Sequence, residues 1–82
     1  MTPQGNKAPD VRRISQRGQE LFKALAQKLT ERHRGQFVAI EVESEDYFLG
    51  KTEIEANKKA RQQHPGKVFY LGRLGYAAAF RR

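Results

Sequence analysis

In the first third of the chain, apolar residues recur at steps of three and four. Val11, Ile14, Gly18, Leu21, Phe22, Leu25 and Leu29 fall on one stripe when the chain is wound at helical pitch. The spacing predicts an amphipathic helix over 10–34, with Asp10 or Ser15 as its N-cap and Gly35 as its stop, just after His33 and Arg34. Gly18 is the anomaly, because glycine inside a helix costs about 1 kcal/mol relative to alanine. Its place on the apolar stripe predicts either a close approach by a neighbouring backbone or fraying of the turns before it.

Beyond Gly35 the period changes to two. Val38, Ile40 and Val42 alternate with Phe37, Ala39, Glu41 and Glu43, which predicts a strand over 37–42. One face of it should be buried throughout and the other covered only near Phe37 and Ala39. Ser44, Glu45 and Asp46 form a short polar connection to a second strand, Tyr47 to Leu49, in a hairpin. Thr52 to Glu55 has the form of a capping box, with Thr52 accepting from the third helical amide and Glu55 reaching back. In the helix that follows, Ala56 and Ala60 sit one turn apart and allow close packing on a sheet, with Ile54 as the only large apolar anchor. His64-Pro65-Gly66 ends this helix. A third strand, Val68 to Leu71, is apolar on both faces and is expected to be central or covered by a partner. The helical crossover leading to it predicts a strand parallel to its neighbour.

The pattern therefore defines an α+β chain, a single small domain of helix-strand-strand-helix-strand order with a three-stranded sheet. It spans 10–82, with 36–75 as the strand-strand-helix-strand unit, 1–9 as a disordered leader and 76–82 as a basic tail. At 82 residues one core is close to the minimum that folds alone. The chain has no cysteine, so extra stability must come from packing or self-association, and a cytoplasmic location fits. No apolar run has the length of a signal peptide core or a membrane span, and no membrane partner is expected.

Charge changes the picture more than composition does. The net charge of +7 is uneven: residues 1–35 carry +5, residues 36–66 carry −2 and residues 67–82 carry +4. Basic ends favour anionic partners. Arg12, Arg13, Arg17, Lys23, Arg32, Arg34, Arg81 and Arg82 are the candidate phosphate contacts, and Phe48, Phe69 and Tyr70 the candidate base-stacking aromatics. Elsewhere reactive chemistry is sparse. His33 and His64 sit at helix ends without companion ligands at metal spacing. Glu41, Glu43, Glu45 and Asp46 form the acidic cluster; it lacks the calcium-loop order and reads as a solvated strand face entering a turn. Ser15 and Ser44 are in no nucleophile setting, and Gly50-Lys51-Thr52 lacks the upstream glycine of a phosphate loop. No catalytic residue, cofactor, metal or small-molecule substrate is expected.

Several segments resemble a known pattern. They are Gly35 to Ile40, Tyr47 to Gly50 with Thr52, Glu55-Ala56 with Ala60, and His64 to Tyr76. Together they are similar to a family of small uncharacterised bacterial proteins, seen in cyanobacteria among others and classed as a domain of unknown function. Its members are sometimes suspected of resembling antitoxins or of accompanying retropepsin-like aspartic proteases. The resemblance covers about half the chain and implies a fold rather than an activity. Gly50, Thr52, Glu55 and Ala56 also resemble the helix start of antitoxins of the HicAB type. This chain differs from those in its added N-terminal helix, its single short hairpin and its lack of a separate C-terminal DNA-binding domain.

The leading expectation is a non-enzymatic interaction module, antitoxin-like in class, that binds a protein partner or a second copy. A sheet edge and the first helix would carry it, through Val11, Ile14, Leu21, Phe22, Phe69 and Leu71. The alternative is RNA or DNA binding through the basic helix and the terminal arginines.

Overall fold

The computed structural model describes residues 11–76. They form α1 (Val11–His33), β1 (Phe37–Glu41), β2 (Asp46–Gly50), α2 (Glu53–Gln63) and β3 (Tyr70–Arg73), the α+β order that the sequence pattern predicts. The expected leader, the Asp10 cap and the tail beyond Tyr76 lie outside the described residues.

The three strands make one sheet of order β2-β1-β3, with both neighbours antiparallel to β1. This corrects the parallel pairing expected for the third strand. β2 and β3 do run in the same direction, as a helical crossover allows, but β1 lies between them. It also corrects the central position expected for that strand. β3 is an edge strand, and its two apolar faces are covered by helices rather than by further strands. Tyr70 and the following Leu74 enter the core beneath α1, while Phe69 and Leu71 pack with Ala39, Ala56 and Ala60 on the α2 side. The strand begins at Tyr70, two residues later than expected, and Val68 lies exposed ahead of it.

α1 lies along β3 because their repeats match. Four helical residues advance about 6 Å and two strand residues about 6.8 Å. Gly18 therefore meets Tyr70 while Phe22 meets Gly72, one repeat further along. A Cβ at Gly18 would fall 2.3 Å from Tyr70 Cγ, and one at Gly72 would fall 2.6 Å from Phe22 Cε1. The two rings sit 6.2 Å apart, tilted by 48°. The close approach at Gly18 is thus to an aromatic side chain rather than to backbone, and the helix is continuous from Val11. Around this contact Val38, Ile40, Val42 and Leu74 are buried beneath the half-covered stripe of α1.

The opposite face is thinner. Thr52 Oγ1 caps α2 by accepting from Glu55 N at 3.0 Å, and Glu55 Oε1 accepts from Lys51 N at 2.7 Å, one residue earlier than a standard capping box reaches. A Cβ at Gly50 would fall 2.5 Å from Ala56 N, so glycine at the end of β2 lets the α2 backbone settle onto the sheet. Ala39, Ala56 and Ala60 are completely buried there. Ile54, expected to anchor this helix, is instead 78% exposed. It stands two residues from Ala56, about 200° around the helix, and so faces away from the sheet.

The Gly18→Ala variant should lose about 1–3 kcal/mol of stability to overpacking against Tyr70, although alanine alone favours the helix by about 1 kcal/mol. Urea denaturation measures this, and a midpoint equal to or above that of the wild type would refute the close-packing account.

Candidate protein-interaction face

The two sheet edges are not equivalent, and hydrogen bonds set the difference. Along β2, Lys59 Nζ donates to Leu49 O at 2.8 Å, so an ammonium group from α2 occupies an outward carbonyl of that edge. His64 Nε2 lies 2.9 Å from Asp46 Oδ2 at the start of the same strand, with its ring edge-on to Phe48. A lysine on an edge is a known barrier to strand addition.

No such guard stands on β3 among the described residues. Leu74 N donates to Gln36 O at 2.8 Å and Leu74 O accepts from Gly35 N at 2.8 Å, so the polar groups of Leu74 face β1. In an antiparallel ladder this orientation alternates. The backbone groups of Gly72 and Tyr70 therefore also face β1, opposite Val38 and Ile40. Those of Leu71, and the amide of Arg73, point outward. The Arg73 side chain folds back instead, with Nε donating to Gly35 O at 3.1 Å. Its guanidinium lies 5.0 Å from the centre of the Phe37 ring and 4.2 Å from that of Tyr76.

The six residues expected to bind protein are brought together only in part. Phe22 on one face and Phe69 and Leu71 on the other all flank the β3 edge. Ile14 and Leu21 pack half-buried on the core under α1, and Val11 is 68% exposed at its first turn. Gly18 is the only fully covered position of α1, so the stripe keeps open apolar surface along its whole length.

The acidic cluster needs one correction. Glu41 is 3% exposed rather than solvated, because the hairpin folds over it. Its carboxylate accepts from Ser44 N at 2.9 Å and Glu43 N at 3.3 Å, while Glu45 N donates to Glu41 O at 2.7 Å. Glu45 takes a φ of 68° to close this turn. Burial pushes the Glu41 carboxyl up, but the hydrogen bonds from Ser44 and Glu43 and the Lys67 charge together hold it below its ordinary value. Glu43, Glu45 and Asp46 are exposed, and each meets a cation or imidazole: Lys67 at 2.9 Å, Arg17 at 2.6 Å and His64.

The basic residues do not form one patch. Arg12, Arg13, Arg17, Lys23 and Arg32 are exposed on several sides of α1, and Arg12 and Arg32 stand about 30 Å apart along it. Arg17 is held by Glu45 and Glu20, whose hydrogen bonds raise its pKa. Arg34 packs against Gly75 at the far end, and Arg81 and Arg82 lie outside the described residues. The expected stacking aromatics are not free faces. Tyr70 is 7% exposed beneath Gly18, and Phe48 and Phe69 are half-buried.

Two shallow cavities lie among the described residues. One of about 200 Å³ lies between Arg13 and Ile14, the Glu41–Glu43 turn and Lys67; the other, of about 300 Å³, lies beside Tyr47 and Phe48. In the first, the Glu41 carboxylate is bonded within the turn and Glu43 and Lys67 are bonded to each other. Among the described residues no group of three or more His, Asp or Glu side chains is placed to hold a metal, and no helix is long and apolar enough to cross a membrane. No family model, no curated protein and no solved structure matches this chain. A functional reading accordingly rests on geometry.

Because the folded carboxyl of Glu41 is depressed below 4.5, its stabilising contribution is complete above that value and is lost as the pH falls through the folded pKa. Glu41→Gln should be less stable than wild type near neutral pH, with the gap closing in acid. Thermal midpoints taken from about pH 7 down to about pH 3 measure it; a gap independent of pH would show that the buried charge is not what holds the turn.

Proposed function

We propose that this chain is a non-catalytic, cytoplasmic interaction module that accepts an extended segment of a protein partner along β3. The observation that supports it is the asymmetry of the edges. β2 is closed by Lys59 on the Leu49 carbonyl, whereas Leu71 turns its amide and carbonyl outward between apolar side chains on both faces. Strand addition draws its affinity from such main-chain groups and its selectivity from the alternate side chains beside them. An antitoxin-like role is one form of this reading. Neither cavity joins a nucleophile to a base, which favours binding over catalysis. Nucleic-acid binding is the less favoured alternative, since the arginines of α1 are spread around the helix and Arg17 is engaged by two carboxylates.

Affinity capture from native cells at moderate salt, with nuclease, tests the reading when run with two variants. In Leu71→Pro an outward N–H is removed while the bonds to β1 remain. The other variant replaces Arg12, Arg13 and Arg17 by Gln. A protein retained by wild type and by the arginine variant, but lost with Leu71→Pro, is the expected result. Capture of nucleic acid that falls steeply with salt and disappears with the three arginines would overturn it.

A further inference from the structure

We infer that the strand received by β3 is β3 of a second copy, running antiparallel about a twofold axis at Leu71, so that two sheets merge into one of six strands. This rests on the reading of β3 as the docking edge and names its occupant. The edge is self-complementary in this register. Leu71 meets Leu71 of the other copy, Tyr70 meets Gly72, and Phe69 meets Arg73. No like charges face each other, so the pairing avoids the main penalty of a symmetric edge. Arg73 is folded over Phe37 and Tyr76, which leaves the space opposite Phe69 unobstructed.

The helices fit as well. α1 packs over β1 and β3, so its axis stands about one strand spacing, ~4.8 Å, from an axis placed half a spacing beyond β3. Two copies of α1 would then lie antiparallel about 10 Å apart, at the outer end of ordinary helix packing distances. Ser15, Gln19 and Ala26 lie beside Phe22 on the flank of α1 that faces this edge and are uncharged; Arg12 shares this flank only at the first turn, and Lys23 stands at its outer margin. The opposite flank carries Arg17 and Lys28, with Arg17 tied to Glu45 above the hairpin. Both the backbone edge and the neutral helix flank are therefore on the same side, and together they bury more than a strand of four residues can alone.

Sedimentation of the full chain across a concentration series gives the first readout, and twice the 9.4 kDa chain mass is expected. Oxidation of single-cysteine variants gives the register, since the chain has no cysteine of its own. At the axis the Cα separation is about 5.5 Å, within disulfide range, whereas two copies of residue 69 stand about 14 Å apart. Leu71→Cys should form a disulfide-linked dimer and Phe69→Cys should stay unlinked under the same oxidation, with far-UV circular dichroism confirming that both fold. Monomer at every concentration overturns the inference; β3 as a docking edge survives that result if capture of another protein still depends on Leu71. A dimer linked through position 69 and not 71 overturns the register.

Discussion

The contact on which the rest of this fold depends is the reciprocal seating of Tyr70 on Gly18 and Phe22 on Gly72. α1 has a long apolar stripe, but only Gly18 is fully covered, so the closest approach to the sheet is concentrated at this pair of sites. Each glycine supplies the hollow that the ring from the other element fills. The match between one helical turn and two strand residues lets both contacts form together. This seating fixes how far β3 is advanced along α1, and with it the closure of the chain behind the helix. There Leu74 bonds to Gly35 and Gln36, and Arg73 bonds to the Gly35 carbonyl. A shift of one residue in β3 would turn Tyr70 and Leu74 out of the core.

The two faces of the sheet use different means to the same end. Under α1 the space is filled by Val38, Ile40, Tyr70 and Leu74. Under α2 little space remains, because Gly50, Ala39, Ala56 and Ala60 let the helix backbone approach. An alanine layer buries little apolar area, and at about 25 cal/mol per Å² it contributes modestly. The Thr52 cap and the Glu55 carboxylate compensate in part by satisfying amides at the start of α2. For a chain this small, the incompletely covered stripe of α1 is thus a real deficit of burial.

The periodicity carried the element order, the α2 cap and the Gly35 stop, because those depend on residues close together in sequence. What it could not carry were facts of long range. β3 looked central since both its faces are apolar, but two helices give the same pattern as two flanking strands. Ile54 looked like an anchor on hydrophobicity alone, although its angle from Ala56 and Ala60 already placed it outward. Glu41 looked solvated because its partners are backbone amides of a turn, which leave no mark in side-chain spacing. Gly18 was legible as a site of close approach, but not as the seat of a ring from β3. The candidate interface was legible only as a set of apolar residues; which edge is guarded depends on where Lys59 reaches, some ten residues after the carbonyl it meets.

The asymmetry between the edges follows from the crossover. Because α2 leads directly out of β2, its side chains lie over that edge, and Lys59 and His64 reach Leu49 and Asp46 without any added segment. β3 is the last strand on the other side, and among the described residues no later element covers its outer edge. Within the described residues its brevity is what protects it, unless another strand pairs with it. Brevity limits a four-residue strand as a partner for arbitrary edges. It limits much less a partner that also meets the neutral flank of α1. If β3 is the docking edge proposed above, the geometry that leaves the stripe of α1 half-covered favours a partner that presents a strand and a helix flank together.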